Sequence, residues 1–198
     1  MEEIIIASSN KGKIKEIKEI LPEYIFLGLS DIGFKEEIEE NGKSFEQNAL
    51  IKARVIHSNT GKTVIADDSG LCVDFLDGAP GVLSARFAGV HGNDEANNEK
   101  LLGLMSGVEN EHRTARFICA AAVIFRDGDE YTTIGVAEGS IAYEPKGDNG
   151  FGYDPIFISE QIGVSFAQMS EEQKNLISHR KKALDGLSEI IKKKLSEL

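Results

Sequence analysis

The sequence has few cysteines, few basic residues and no long apolar run. Its 198 residues include two cysteines, Cys72 and Cys119, which cannot form a disulfide framework and match no zinc-site spacing. No apolar stretch approaches the roughly 18 residues that a membrane span needs. The start, Met1-Glu2-Glu3, carries acids where a signal peptide carries bases. These absences predict a soluble protein of the cytoplasm, a reducing compartment, with no membrane partner.

Acidic residues outnumber basic ones. The chain has 22 Lys and Arg against 33 Asp and Glu, which gives a formal net charge of −11. Such a surface repels the nucleic-acid backbone, so we expect no nucleic-acid partner, although a local cationic pocket can still hold a small anion. With 41% hydrophobic and 28% charged residues the chain is globular rather than disordered. The length predicts one domain over residues 1–198, with up to two lobes, that needs no disulfide or structural metal.

Short apolar strands alternate with amphipathic helices, which indicates an α/β fold. Residues 4–7 are apolar throughout and predict a strand buried on both faces, followed by a polar turn and a helix from Lys13. Further strands are predicted at 63–66, with 71–73 as an extension, at 114–126 and 130–137 as a hairpin, and at 139–143. Further helices are predicted from residues 44–46, over 95–105, and from 170 to about 195.

The polar turn after the first strand is the first candidate site. Unpaired backbone N–H groups and the positive end of the helix dipole favour an anion there. Lys13 adds a positive charge, and the side chains of Ser8 and Asn10 can donate to phosphate oxygens. The motif lacks the spacing of a Walker A loop, and an ordinary N-capped helix is the alternative interpretation.

Two adjacent acids, Asp67 and Asp68, follow a buried apolar stretch, at what we interpret as the end of a strand. The carboxyl ends of strands are where α/β sheets bind ligands. Because neighbours along a strand point to opposite faces, the two acids should have different roles. One could bind Mg²⁺ or activate water; the alternative is an Asx-turn that closes the strand. The acidic run at 36–40 could supply a second metal ligand, although most of it is expected to be solvated surface.

The loop Gly150-Phe151-Gly152-Tyr153-Asp154 places two glycines around an aromatic residue. Glycine lets a backbone approach a ligand closely, and an aromatic ring offers a stacking face. Asp154 is a candidate acceptor for a sugar hydroxyl or a base N–H group. The alternative interpretation is a tight turn with Phe151 or Tyr153 packed in the core.

Lys174, His179 and Arg180 form a basic group near the end of the chain. On one continuous helix these three side chains would not share a face. They converge only if the helix breaks near Ser178, which can N-cap a following helix. The alternative interpretation is the basic surface of one long amphipathic helix.

Together these segments resemble the inosine triphosphate pyrophosphatase family, also called XTP/dITP diphosphatases. The similarity extends from Ile4 to about Leu187. In chain order it is carried by Ala7-Ser8-Ser9-Asn10-Lys11-Gly12-Lys13, Ala66-Asp67-Asp68-Ser69-Gly70-Leu71, Gly78-Ala79-Pro80-Gly81, Ser84-Ala85-Arg86, Gly150-Phe151-Gly152-Tyr153-Asp154-Pro155, Lys174 and Ser178-His179-Arg180. Many relatives have Thr-Gly-Asn where this chain has Ser-Ser-Asn, which keeps the hydroxyl and the amide.

The resemblance implies an elongated, two-lobed α/β domain, with a central twisted mixed sheet flanked by helices and a cleft between the lobes. It implies a homodimer that uses Mg²⁺ to hydrolyse the non-standard purine nucleotides ITP, dITP and XTP to the monophosphate and pyrophosphate. Such an enzyme removes these nucleotides from the cellular pool.

The resemblance also implies roles for single residues. Asp68 would be the proton acceptor and a metal ligand, with Glu39 or Glu40 as a second ligand. The substrate would be bound by Ser8, Ser9, Asn10, Lys11, Gly12, Lys13, Ser69, Phe151, Gly152, Tyr153, Asp154, Lys174, His179 and Arg180. Donors from His179 and Arg180 would pair with the 6-keto oxygen of inosine or xanthine, whereas the amino group of adenine would leave them unpaired.

Two other functions compete with this one. A Maf-like diphosphatase of different base specificity would share the architecture, but the Ser178-His179-Arg180 block argues against it. A non-catalytic nucleotide sensor would need the phosphate and base loops but not Asp68. Its ligand affinity should therefore survive an Asp68→Asn substitution.

Overall fold

The computed structural model describes residues 3–196, apart from the Leu195 side chain. Met1 and Glu2, which contributed to the prediction of location, lie outside the described residues. Within the described part, every helix is too short or too polar to cross a membrane.

Within residues 3–196, six strands form one mixed sheet in the order β2-β1-β3-β4-β5-β6. The strands are β1 (Glu3–Ile6), β2 (Ile25–Leu27), β3 (Val64–Val73), β4 (Thr114–Ile124), β5 (Glu130–Ile141) and β6 (Phe157–Ser159). Strand β1 pairs in parallel with both β2 and β3, whereas β5 and β6 are antiparallel. The predicted α/β class with a mixed sheet is confirmed.

Helices connect and cover these strands. They are α1 (Lys11–Ile20), α2 (Phe45–Thr60), α3 (Asp94–Leu104), α4 (Glu171–Ile177) and α5 (His179–Ser196). Side-chain caps set where they begin: Asn10 accepts from the Lys13 N–H, and Ser44 accepts from the Gln47 N–H. The capping box predicted at Ser170 is confirmed, because Ser170 and Gln173 cap each other reciprocally.

The chain divides into two compact units. Unit 1 comprises Met1–Asp68, Cys119–Gly135 and Arg180–Leu198. Its part of the sheet is buried on both faces, as predicted for β1. Ile4 and Ile6 pack in a cluster with residues of α1 and α5, whereas Ile5 packs with Ala49, Ala53 and other residues of α2. Residues on opposite sides of β1 therefore belong to different cores.

Unit 2 comprises Ser69–Ile118 and Val136–His179. Its single large core joins Leu71 and Val73 of β3 to Leu101 of α3. Three phenylalanines in mutual ring contact fill the same cluster: Phe117, Phe157 and Phe166. Unit 2 is therefore built around aromatic packing.

Two predicted boundaries differ from the structure, and one strand was not predicted. The acids Asp67 and Asp68 do not end a strand, because β3 continues without a turn to Val73. The strand can continue because both carboxylates find polar partners within the fold. Segment 139–143 is not a separate strand, since β5 runs through it to Ile141. The three-residue β2 was not predicted, because so short a strand shows no alternation, and its first residue is exposed.

Candidate active site

The predicted phosphate turn connects β1 directly to α1. Asn10 caps the helix through its Oδ1 atom, 3.0 Å from the Lys13 nitrogen, and its own N–H donates to Ser8 Oγ at 3.2 Å. The first turn of α1 contains no acidic residue. Its N–H groups and helix dipole therefore keep their positive potential, which is what an anion requires.

Asp67 is buried in unit 1 and holds two cations. Its Oδ2 atom lies 3.2 Å from Lys13 Nζ and 3.0 Å from Arg180 Nη2. The same guanidinium donates through Nη1 to Glu16 on α1. The negative charges of Asp67 and Glu16 are thus paired with the positive charges of Lys13 and Arg180 in one buried network. Buried charges are stable only when they are paired in this way.

Burial alone would raise the pKa of Asp67, but the charges of Lys13 and Arg180 bring it well below its usual range. For Lys13, burial opposes the charged form, but the charge of Asp67 leaves the ammonium pKa raised. Burial raises the pKa of the neighbouring Cys119 thiol to about 12. The lowered pKa keeps Asp67 ionised at neutral pH, where its carboxylate holds Lys13 beside the phosphate turn.

Asp68 points to the opposite side of β3, as alternation along a strand predicted. Its Oδ2 atom accepts from Asn48 Nδ2 at 2.9 Å, and its Oδ1 lies 3.9 Å from Lys52 Nζ. Burial raises the pKa of Asp68, and the charges of Lys52 and Lys13 only partly offset this effect. The two adjacent acids thus have opposite pKa shifts, a pattern that separates an anchor from a group able to exchange a proton.

A divalent cation fits two carboxylates of unit 1. Lys52 Nζ lies 3.2 Å from Glu40 Oε2 as well as near Asp68, so both carboxylates converge on one positive charge. Glu40 is half-buried, whereas Glu39 is exposed. Among residues 3–196 no cluster of three or more acidic, His or Cys ligands forms. Mg²⁺ typically takes one or two carboxylates and completes its shell with phosphates and water, which suits this pair.

The glycine loop of unit 2 is organised around buried Asp154. Its Oδ2 atom accepts from the Phe151 N–H at 2.9 Å and from Lys174 Nζ at 2.6 Å. Gly150 has φ +78°, and a Cβ there would lie 2.0 Å from the Asp154 carboxylate. Glycine is therefore required at this position by both conformation and space.

Helix α3 holds the same loop at Gly152, through its N–H and its carbonyl. The Gly152 N–H donates to Asp94 at 2.7 Å, and Asn98 Nδ2 donates to the Gly152 carbonyl at 3.0 Å. Tyr153 is buried, and its hydroxyl donates to the Ser84 carbonyl at 2.9 Å. Tyr153 therefore packs in the core, as the alternative interpretation of this loop predicted.

Lys174 and His179 both lie near the ring of Phe166. The chain leaves α4 at Ser178 (φ −66°, ψ 157°) and begins α5 at His179, so the one helix expected from residue 170 to about 195 is two helices, with the break on which convergence of the basic group depended. The His179 ring stacks on Phe117 at 4.6 Å and lies parallel to Phe166 at 6.5 Å. Lys174 Nζ lies 5.7 Å from the centre of the Phe166 ring.

Comparison with known proteins assigns the family. A family model described as the Ham1 family matches residues 4–190. The chain belongs to the Ham1 family. It is 51% identical over 193 residues to a Bacillus licheniformis protein named dITP/XTP pyrophosphatase, covering 96% of this chain and 98% of that protein. The resemblance found in the sequence is thereby confirmed.

Solved structures of Ham1-family proteins share the fold. The Staphylococcus aureus Ham1 protein superposes with a TM-score of 0.88 at 42% identity, covering 98% of this chain and all of that one. The Mycobacterium abscessus protein described as a nucleoside-triphosphatase or dITP/XTP pyrophosphatase gives a TM-score of 0.77 at 45% identity, over 93% and 98% of the two chains.

Within this Ham1-family chain, Arg180 has a different environment from the one expected. Its side chain is 1% exposed, and its guanidinium donates to Asp67 and Glu16 of unit 1. It therefore supports Lys13 through Asp67, while His179 and Lys174 belong to the aromatic group of unit 2.

Several polar residues at the site were not predicted from the sequence: Glu16, Asn48, Lys52, Asp94 and Asn98. For Asn48 and Lys52 the sequence did contain a signal. Asn48 and Lys52 are four residues apart on the buried stripe of α2, among the apolar residues Phe45, Ala49, Ala53 and Ile56. A polar side chain in a core-facing position must have a buried partner, and here that partner is an acid of the site.

Proposed function

We propose that this chain is a nucleoside-triphosphate diphosphatase that converts ITP, dITP and XTP to the monophosphate and pyrophosphate. The observation that carries the proposal is the placement of two adjacent acids: Asp67 Oδ2 lies 3.2 Å from Lys13 Nζ of the phosphate turn, whereas Asp68 Oδ1 lies 3.9 Å from Lys52 Nζ on the other side of β3. The names of relatives that are 51% identical over nearly their whole length support the same reaction.

The triphosphate would bind at the start of α1. Lys13, held by Asp67 at 3.2 Å, supplies a fixed positive charge, and the first N–H groups of α1 supply donors. The residues proposed to hold the phosphates are Ser8, Ser9, Asn10, Lys11, Gly12 and Lys13. A charge fixed before substrate binds need not be reorganised during the reaction.

Asp68 would accept the proton of the attacking water. The burial that raises the pKa of Asp68 makes its carboxylate a stronger base than an ordinary one. The oxygen of the water then bonds to phosphorus at the α–β anhydride, and the bridging P–O bond breaks to release pyrophosphate. Ser69, the next residue, is proposed to contact the substrate.

Asp68 and Glu40 would hold Mg²⁺ together with substrate phosphates. The ion would neutralise negative charge that develops on the phosphate oxygens. The half-buried position of Glu40, 3.2 Å from Lys52 Nζ, supports Glu40 over the exposed Glu39 as the second ligand.

The base and sugar would bind to residues of unit 2. His179 and Lys174 are hydrogen-bond donors, so they suit the 6-keto oxygen of inosine or xanthine and disfavour the amino group of adenine. Phe151, Gly152, Tyr153 and Asp154 form the loop proposed to shape this site. Arg180 would contribute through its ion pair with Asp67.

The test is pyrophosphate release with Mg²⁺ from ITP, XTP, dITP, ATP, GTP and a pyrimidine triphosphate. We expect strong turnover of the first three nucleotides, with pyrophosphate rather than orthophosphate as the product. Turnover of pyrimidine triphosphates alone would favour the Maf-like alternative. Binding without turnover would favour the sensor.

We also propose, from the family resemblance, a cytoplasmic homodimer that binds no nucleic acid. Light scattering after gel filtration tests the dimer, since it measures the mass in solution directly. A mass equal to one chain would contradict it.

A further inference from the structure

Asn48 on α2 connects two segments that both carry acids of the site. It is 1% exposed, and both ends of its amide are used. Nδ2 donates to Asp68 Oδ2 at 2.9 Å, and Oδ1 accepts from the Gly42 N–H at 2.8 Å. The orientation of the amide follows from its partners, since a backbone N–H can only donate and a carboxylate accepts.

The Gly42 side of this link leaves no room for a side chain. A Cβ at Gly42 would lie 2.6 Å from Asn48 Oδ1 and 2.8 Å from Gln47 Cβ. The next residue, Lys43, donates its N–H to Gln47 Oε1 at 2.7 Å. The loop after Glu40 is therefore fastened to the first turns of α2 at two successive peptides.

Lys52 makes a second, charged link one helical turn further along α2. Its Nζ atom reaches Glu40 at 3.2 Å and Asp68 at 3.9 Å. The charged link depends on which cation lies between the two acids, because a divalent ion would compete with the ammonium for the same oxygens. The neutral Asn48 link does not depend on that cation.

We infer that Asn48 is a positioning residue which holds Asp68 and the Glu40 loop in register for hydrolysis. The inference rests on the proposed function, because it assigns Asn48 to the reaction through Asp68. Hydrogen bonds that orient a catalytic or ligating carboxylate typically contribute 10–100-fold to activity or metal affinity. Asn48 touches neither water nor substrate in this role, so its loss should lower kcat more than it changes KM.

The experiment compares four variants with the full-length wild-type chain. Asn48→Ala removes both hydrogen bonds. Asn48→Asp keeps an acceptor for Gly42 but loses the donor to Asp68. Gly42→Ala displaces the loop from Asn48. The matched control is Asn59→Ala, an exposed asparagine on the same helix.

Three quantities are measured: kcat and KM for pyrophosphate release, amide hydrogen exchange at Gly42, and thermal stability. For Asn48→Ala we expect kcat to fall about 10–100-fold, KM to stay within about threefold, and Gly42 exchange to accelerate. Asn48→Asp should keep Gly42 protected and still lose kcat. Gly42→Ala should lower kcat, and Asn59→Ala should match the wild type.

A folded Asn48→Ala protein with kcat within twofold of wild type would overturn the inference, as would a change confined to KM. If Asn48→Ala fails to fold, Asn48→Asp and Gly42→Ala decide by the same criteria. A wild-type chain with no turnover of any triphosphate would overturn the proposed function itself. In that case the rate of amide hydrogen exchange at Gly42, which needs no substrate, separately confirms or excludes the hydrogen bond between Gly42 and Asn48.

Discussion

Units 1 and 2 place buried cations in opposite surroundings. In unit 1, Lys13 and Arg180 share Asp67, and Lys52 lies between Asp68 and Glu40. In unit 2, Lys174 has the carboxylate of Asp154 on one side and the faces of phenylalanine rings on the other. Ion pairs therefore dominate the first site, and flat apolar surfaces dominate the second.

Under the proposed function, this difference would match the different needs of the two ends of a nucleotide. Hydrolysis of a triphosphate needs fixed positive charge and an oriented carboxylate that accepts a proton, which a network of ion pairs provides. A purine would need planar side chains with a few donors, and under the proposed function these would be His179 and its phenylalanine neighbours. The comparison predicts that substitutions in unit 1 act mainly on the chemical step and stability, and those in unit 2 on the choice of base.

The largest effect is expected for Asp68→Asn. An amide cannot accept the proton of water, so kcat should fall about 10³-fold, while nucleotide affinity measured without Mg²⁺ stays close to the wild type. Pyrophosphate release and calorimetric titration with a non-hydrolysable triphosphate measure the two quantities. Asp185→Asn, an exposed acid of unit 1, is the control and should leave kcat unchanged. A kcat within tenfold of wild type would exclude Asp68 as the base.

Asp67→Asn should mainly lower stability. It leaves Lys13 and Arg180 buried without a shared carboxylate, which typically costs about 3–5 kcal/mol. Because the folded pKa of Asp67 is lowered, its contribution is fully present above the ordinary aspartate pKa of about 3.9 and is lost as the pH falls below it.

Urea unfolding at pH 7 and pH 3 measures that contribution. The difference in free energy of unfolding between wild type and Asp67→Asn should shrink at the acid pH. An equal difference at both pH values would contradict an ionised anchor at Asp67.

The smallest effect is expected in unit 2, for His179→Phe. A phenyl ring keeps the stacking on Phe117 but loses the ring N–H donors. The ratio of kcat/KM for ITP to that for ATP should fall about tenfold, the effect of one lost hydrogen bond of about 1.4 kcal/mol. His112→Phe, an exposed histidine of the same unit, is the control. If the ratio of kcat/KM for ITP to that for ATP is unchanged, His179 does not select the nucleobase.

Sequence patterns predicted local features of the fold well and long-range partners poorly. The apolar run at residues 4–7, the alternation of Asp67 and Asp68 and the capping box at Ser170 all follow from near neighbours in the chain. The partners of Asp67 could not be predicted, because Lys13 and Arg180 lie 54 and 113 residues away. The turn expected after Asp68 was wrong for the same reason, since those distant partners allow β3 to continue.

The sequence by itself determined most of the strands and helices, and which residue types are available for chemistry. Strand periodicity and helix capping depend on residues that are close in the chain, so both can be recognised in the sequence. Only the tertiary structure decided that Asp67 is an anchor and Asp68 a base candidate. That division depends on burial and on cations brought from α1, α2 and α5, and electrostatic environments of this kind exist only once the chain has folded.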